Sequence, residues 1–273
     1  MYSLSVLAMF KNETDIIQSW IDHYLAEGVE HFYLIDNGST DDTMNKIYRY
    51  EKYVSLIKDT RRMPTQTQTC LMNDLYLKKI KDETEWIIVC DIDEYIYARN
   101  ECVQIMDVLK KLPRNVDKIW LPWKCFGSNG HVKQPKDVIP SFTKRQTDIS
   151  IQMDHGKVIF KTKHLVNILS AGNEVDLRHN NSYYLCNGER FGKCKSNDPV
   201  FSKLDLHLNH YMLMSEEYYS QIKCVRGGGE SGHTTNKFTM PVFHTMNETF
   251  NEIEDTELAK KTYTHNKRMP KMS

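Results

Sequence analysis

The chain has 273 residues, 40% hydrophobic and 26% charged. These are values of an ordinary globular protein long enough for one large domain. Lys+Arg and Asp+Glu each total 36, and basic residues gather only in short clusters such as Lys144-Arg145, so a nucleic-acid partner is disfavoured. The seven cysteines are irregularly spaced with no CxxC pair, which argues for free thiols in a reducing compartment over a disulfide framework or zinc knuckle. Residues 1–11 lack a basic leader and a cleavage site. No apolar run approaches the ~18 residues of a membrane span. The expectation is a soluble, cytoplasmic protein.

Residues 3–10 form an apolar run that suits a strand buried on both faces. Residues 13–27 carry Ile16, Ile17, Trp20, Ile21, Tyr24 and Leu25 on one helical face, and Gly28 ends the helix. His31-Phe32-Tyr33-Leu34-Ile35-Asp36 reads as a second strand and Asn37-Gly38-Ser39-Thr40 as a turn. A helix opens at Asp41-Asp42 and runs to about Lys52, with Ser39 or Asp41 as its cap. Residues 53–57 form a third strand, 67–81 a helix, and 85–91 a fourth strand. This alternation predicts an α/β fold with a doubly wound, mostly parallel sheet. Beyond residue 100 the pattern weakens. Strands are expected at 119–123 and 157–160, loops across 171–205, a helix from Ser215 to about Cys224, and a mobile Gly-rich loop over 226–232.

Ligands of such sheets bind at the carboxyl ends of the strands. Three polar groups end these strands: Lys11-Asn12-Glu13, Asp36-Asn37 and Asp91-Ile92-Asp93. They should meet in one crevice. In extended chain, positions i and i+2 share a face, so Asp91 and Asp93 can reach one hard cation, Mg²⁺ or Mn²⁺. Asp36 can accept hydrogen bonds from a base or ribose. Glu13 also suits the start of a helix, where the dipole favours an acid.

At this point the chain resembles the glycosyltransferase family 2-like and family 92 enzymes. The resemblance runs from Lys11-Asn12-Glu13, Trp20 to Tyr24, Gly28-Val29 and His31 to Tyr33, through Asp36 to Asp42. It continues with Gln66 or Gln68, Asn73, Glu85-Trp86 and Asp91 to Tyr95. Trp123, Phe126 to Ser128, Gly130-His131, Pro135, Phe142, Arg145 and Gly156 to Ile159 follow. Asn209-His210-Tyr211, Ser215 to Tyr218, Lys223 and Arg226-Gly227 close the set. Three features depart from the relatives: Met214 stands where they often carry Lys, Asn173 lies where a His is expected, and residues 176–205 read as an insertion.

The resemblance implies a single GT-A domain, with residues 1–100 as a nucleotide-sugar half and 101–273 as an acceptor half. It implies transfer, with inversion, from a UDP- or GDP-sugar to a glycan or other hydroxyl acceptor. The implied metal is Mn²⁺ (or Mg²⁺), held by Asp91, Asp93 and His210. The implied donor contacts are Lys11, Asn12, Glu13, Asp36, Asn37, Ser39, Gln66, Asn73, Ile92, Lys157, Lys223 and Arg226, and the acceptor contacts are Trp123, Phe126 and His131. A general base is required, and Asp154, Glu174, Asp176, Glu189 and Asp205 all remain open. The alternatives are a sugar-phosphate nucleotidyltransferase, disfavoured because Met9-Phe10-Lys11-Asn12-Glu13 occupies the place of its Gly-rich basic loop, and an inactive nucleotide-sugar-binding module.

Overall fold

The structure is a computed structural model that describes residues 1–147, 156–179, 184–186, 202–227 and 237–266. The first half alternates strand and helix as expected: β1 (Tyr2–Phe10), α1 (Ile17–Ala26), β2 (His31–Asp36), α2 (Thr43–Tyr48), β3 (Val54–Lys58), α3 (Thr67–Glu83) and β4 (Thr84–Val89). It continues with β5 (Glu94–Ala98), α4 (Ile105–Lys111), β6 (Lys118–Cys125), the short α5 (Val138–Ser141) and β7 (Lys144–Arg145). Next come β8 (Gly156–Lys161), β9 (Leu165–Leu169), β10 (Glu174–Leu177) and β11 (Leu206–His210). The chain then forms a composite helix over residues 216–226, a helix Met240–Thr249, β12 (Ile253–Glu254) and a helix Glu257–Asn266.

Eight strands share one sheet in the order β3-β2-β1-β4-β8-β6-β11-β5. β3, β2, β1 and β4 run parallel, as do β6 and β11, while β8 and β5 pair antiparallel with their neighbours. The parallel strands read as continuous apolar runs because helices cover both faces: β2 is buried at all six positions. Trp20 and Tyr24 of α1 are fully buried and donate to the Glu94 carbonyl, both at 3.1 Å. Each ring therefore packs its apolar body while its polar tip finds a partner. α1 ends as predicted at Gly28, whose φ of +88° is the left-handed conformation glycine adopts without a Cβ penalty.

Several expected boundaries move. The helix predicted from residue 13 begins at Ile17, because residues 12–16 turn sharply and Asn12 has φ +55°. The helix predicted over 41–52 stops at Tyr48, and a separate 3-10 turn follows at Glu51–Tyr53. The fourth strand stops at Val89 rather than 91. The stretch expected as loop over 171–205 contains β10, paired antiparallel with β9. Much of the remainder of that stretch, like residues 228–232 of the expected Gly-rich loop, lies outside the described residues. The six described cysteines are free thiols. Among the described residues no helix is long and apolar enough to cross a membrane.

The end of the chain is tied to the sheet by charge. Lys124 on β6 is 1% exposed, with Nζ 2.9 Å from Asp255 Oδ2, and Arg145 Nε meets the same oxygen at 2.7 Å. Burial works against ionisation of Asp255, but Lys124 and Arg145 outweigh it and hold the carboxyl down to about 2. Its folded value lies below its ordinary value of 3.8, so its contribution is in place above that pH and fades as pH falls toward 2. Asp255→Asn leaves a buried ammonium without its closest anionic partner. We expect a loss of about 3–5 kcal/mol in urea unfolding at pH 7, and a loss under 1 kcal/mol would refute the tie.

Candidate functional site

β1 lies between β2 and β4, and Phe10 pairs with Asp36 while Leu7 pairs with Val89. That register brings the ends of three adjacent parallel strands to one edge of the sheet. Lys11-Asn12-Glu13, Asp36-Asn37 and Asp91-Ile92-Asp93 therefore meet as expected.

The loops after β1 and β2 are stitched together by side chains. Asn12 Oδ1 accepts from the Thr40 N–H at 2.8 Å, and the Asn12 N–H donates to Ser39 Oγ at 3.0 Å. Asn37 Nδ2 donates to the Asp59 and Arg61 carbonyls. Asp41 Oδ1 accepts from the Thr43 N–H, and its Oδ2 accepts from the Thr14 N–H. Asp36 is fully buried. Its Oδ1 accepts from the Gly38 and Ser39 N–H groups at 3.1 and 2.7 Å, while its Oδ2 is buried with no hydrogen-bond partner among the described residues. A buried carboxylate oxygen left open in this way is costly unless something donates to it. Burial lowers the half-buried Lys11 ammonium, with Arg62 adding to the effect and Asp36 opposing it.

Asp91 and Asp93 do not sit at alternating positions of a strand. They flank a tight turn between β4 and β5, closed by the Glu94 N–H donating to the Asp91 carbonyl at 3.2 Å and the Asp91 N–H donating to Glu94 Oε2 at 2.9 Å. Gln68 Nε2 donates to Asp91 Oδ1 at 2.7 Å, and Lys157 Nζ lies 3.2 Å from Asp91 Oδ2 and 3.7 Å from Glu94 Oε2. Lys223 Nζ meets Asp93 Oδ2 at 2.5 Å, and His210 Nε2 lies 3.5 Å from Asp93 Oδ1. The pairing of His210 with Glu94 across β11 and β5, locked by the Tyr211 N–H donating to the Asp93 carbonyl at 2.9 Å, puts the imidazole there.

Burial opposes ionisation of Asp91, but Lys157, the Gln68 hydrogen bond and His210 together outweigh it and lower the carboxyl. Burial likewise opposes Asp93, yet Lys223 and His210 hold it well below the carboxylate range. Burial pushes Glu94 up to about 7 despite Lys157, with Asp91 adding to the rise. Burial alone would lower His210, but Asp93 raises it to about 10. The turn is thus an acid cluster neutralised by cations from β8, β11 and the composite helix.

Among the described residues no three His, Cys, Asp or Glu side chains are drawn together tightly enough to hold a metal ion as they stand. The donor set nevertheless fits one: two carboxylates and an imidazole suit Mn²⁺ or Mg²⁺, and 38% of the Asp91 side chain is open to solvent.

The composite helix closes the other side. Ser215 caps it as expected, its Oγ accepting from the Tyr218 N–H at 3.1 Å. Arg226 donates to the Lys11 carbonyl at 2.9 Å and to Glu13 Oε1, and Tyr218 donates its hydroxyl to Glu13 Oε2 at 2.5 Å. Glu13 is 2% exposed. Burial raises its carboxyl, with Arg226 and Tyr218 pulling against the rise.

Some expected contacts take other roles. Glu13 is engaged by Arg226 and Tyr218 instead of facing an open crevice. Gln66 is an exposed left-handed residue before α3, and Gln68 is the glutamine that reaches the acids. All hydrogen bonds of the Asn73 side chain go to main chain, namely the Thr69 carbonyl and both the carbonyl and N–H of Ile168, so Asn73 clamps β9 onto α3. Ile92 is a buried apolar residue of the turn. Trp123 is half-buried with its ring 4.7 Å from that of His210, beside the site. Phe126 is fully buried against Tyr211 and belongs to the core. His131 shares a hydrogen bond with the Ser141 carbonyl and packs on Phe142, a bracing role. The family pattern offers Gln66 or Gln68, and the sequence cannot favour Gln68, because its meeting with Asp91 depends on how α3 crosses β4.

Polar loops at the carboxyl ends of parallel strands, with an acidic turn among them, mark the place where open α/β sheets bind ligands. The sequence model of glycosyltransferase family 92 matches residues 2–268, and the chain belongs to that family, with a GT-A fold. Comparison with curated proteins finds no match. Among solved structures, TarS 1-349 of S. aureus is 18% identical with a TM-score of 0.37, over 59% of this chain and 47% of that one. Glucosyl-3-phosphoglycerate synthase of Mycobacterium tuberculosis is 14% identical with a TM-score of 0.32, over 60% and 58%. Mannosyl-3-phosphoglycerate synthase of Rubrobacter xylanophilus is 11% identical with a TM-score of 0.34, over 59% and 53%. The chain spans about half the length of each of these.

The Glu13–Arg226 pair gives a direct test. Arg226→Met leaves a buried carboxylate without its cation and should cost about 3–5 kcal/mol. Adding Glu13→Gln should recover a large part of that loss, because the uncompensated charge is gone. Additive losses in urea unfolding would show that the two groups are not coupled.

Proposed function

We propose that this chain transfers a sugar from a nucleoside-diphosphate sugar to a hydroxyl acceptor, with inversion, and that a divalent cation, Mn²⁺ or Mg²⁺, is held by Asp91, Asp93 and His210. The observation that carries the reading is the meeting of Asp36, with its open buried oxygen, and the Asp91–Asp93 turn on strand ends either side of β1 in a family 92 chain.

Glycosyl transfer develops positive charge at the anomeric carbon and negative charge on the departing diphosphate. When bound, a divalent cation supplies charge stabilisation to that leaving group. The protein's own part is positioning and charge. Asp36 Oδ2 accepts an N–H or O–H from the base or ribose. Lys11 and Lys157 supply positive charge beside the diphosphate. Trp123, next to His210, offers a flat apolar wall to the acceptor. Of the bases left open by the sequence, Asp154 and Glu189 lie outside the described residues. Glu174 is an exposed residue on β10. Asp205 accepts from Asn100 Nδ2 at 2.7 Å at the start of β11, roughly 17 Å of strand from His210.

Thermal shift with UDP or GDP, with and without Mn²⁺, tests the reading. A ligand of the native state should raise the melting temperature, and Asp91→Asn or Asp93→Asn should abolish the Mn²⁺-dependent part. Asp36→Asn is the sharpest variant, because its remaining oxygen still serves the Gly38 and Ser39 N–H groups while the open acceptor becomes a donor. It should weaken nucleotide binding on the order of tenfold or more with little change in unliganded stability. Absence of any nucleotide effect on the wild-type chain would sink the reading, and undiminished turnover in EDTA would remove its metal.

A further inference from the structure

The composite helix is not a uniform α-helix. A first turn, Glu216–Tyr218, passes into a π turn, Tyr219–Lys223, and then into a last α turn, Cys224–Arg226. π turns cost hydrogen-bond geometry and are found largely where a side chain must be re-aimed. Here the turn ends on Lys223, whose side chain is 3% exposed. Its ammonium donates to Asp93 Oδ2 and to the Met212 carbonyl, both at 2.5 Å, and Phe238 lies 5.7 Å away, its ring facing the charge.

This placement conflicts with the proposed metal. A carboxylate oxygen that accepts from an ammonium at 2.5 Å has no room for a divalent cation, and two like charges at that range repel strongly. The other oxygen of Asp93 faces His210. Lys157 differs: it is fixed in the sheet on β8 and bound also to the Ala171 carbonyl at 2.9 Å. Lys223 sits on an element tied to the same site by Tyr218 and Arg226, which donate to Glu13, and to the neighbouring loop by Glu217, which pairs with Lys133 and accepts from the Gln134 N–H.

We propose that Lys223 is a tethered stand-in for the divalent cation. In the ligand-free chain it occupies Asp93, and loading is an exchange in which the ammonium passes from the carboxylate to the incoming diphosphate as the metal takes its place. The proposal rests on the reading of the site given above. Apart from the ring proton that His210 must release to solvent to offer a nitrogen to the metal, no covalent bond changes; one ion pair is traded for another. An ammonium has three donors and no acceptor, so it can serve a carboxylate or a phosphate equally well but cannot share an oxygen with a metal. The metal alone should therefore bind weakly, and metal and nucleotide should strengthen each other's binding reciprocally.

The test is titration of the full chain with Mn²⁺, following free Mn²⁺ by electron paramagnetic resonance, with and without saturating UDP or GDP. Lys223→Met should bind Mn²⁺ alone at least roughly tenfold tighter than wild type. Its gain in Mn²⁺ affinity on adding nucleotide should shrink by a similar factor, and its nucleotide affinity in Mn²⁺ should fall. Lys223→Gln, which keeps a polar tip without the charge, should behave the same way and covers the case in which the Met variant fails to fold. Unchanged or weaker Mn²⁺ binding by the variants, with nucleotide binding intact, would overturn the exchange alone. No Mn²⁺ binding by any of the proteins under either condition would overturn the exchange together with the metal role.

Discussion

Three carboxylates within four consecutive positions, Asp91, Asp93 and Glu94, the last two buried, cannot stay charged side by side without cations nearby, and this constraint organises the molecule. The cations come from far along the chain: Lys157 from β8, His210 from β11, Lys223 from the composite helix. β8 lies directly beside β4 and antiparallel to it, so Lys157, at the start of β8, comes up to the acids that follow β4. The antiparallel match of β5 and β11 does the same for His210. Buried ion pairs of this kind rarely add net stability, since desolvation offsets their attraction. What they do is exclude arrangements in which a carboxylate is left alone, and so fix how β8, β11 and the composite helix lie against the turn after β4.

The backbone around the turn shows the same dependence. The Glu94 carbonyl takes two donors from α1, Trp20 Nε1 and Tyr24 OH, and Tyr24 OH in turn accepts from the Ile96 N–H. α1 thus holds the acidic turn from below while the lysines hold it from the sides.

The first half of the chain was legible because its signals are local. Apolar runs of strand length, helical spacing in 16–25 and Gly28 as terminator each depend on neighbours in sequence, and β1 to β4 appear within a few residues of their expected places. The convergence of Asp36 with Asp91 and Asp93 followed from parallel topology alone. The errors have physical reasons. The sequence spacing of Asp91 and Asp93 fits an extended chain and a tight turn equally well, and only the Asp91–Glu94 hydrogen bonds decide. Asn73 and Phe126 carried the family pattern, but their partners, Ile168 and Tyr211, lie 95 and 85 positions along the chain, beyond the reach of any periodicity. β5 and β11 were not foreseen as strands, because each gains its identity by pairing with the other.

Charge balance within the site links the ligand-free state to the proposed reaction. With the acids of the turn already matched by two lysines and a histidine, a lone divalent cation would add unmatched positive charge to a buried region, and a lone diphosphate would place its charge beside three carboxylates. Together, the diphosphate of a nucleotide-sugar carries roughly two negative charges and a divalent cation as many positive ones. The pair adds no net charge, so the same protein groups can stay neutralised by changing partners: lysines from carboxylate to phosphate, carboxylates from lysine to metal. A fixed ledger of charges with movable pairings needs at least one cation on an element able to shift. Lys157, pinned in the sheet, cannot supply it, whereas the π turn carries Lys223 on a helix that Tyr218 and Tyr219 anchor in the core and that reaches the acids through ion pairs and hydrogen bonds.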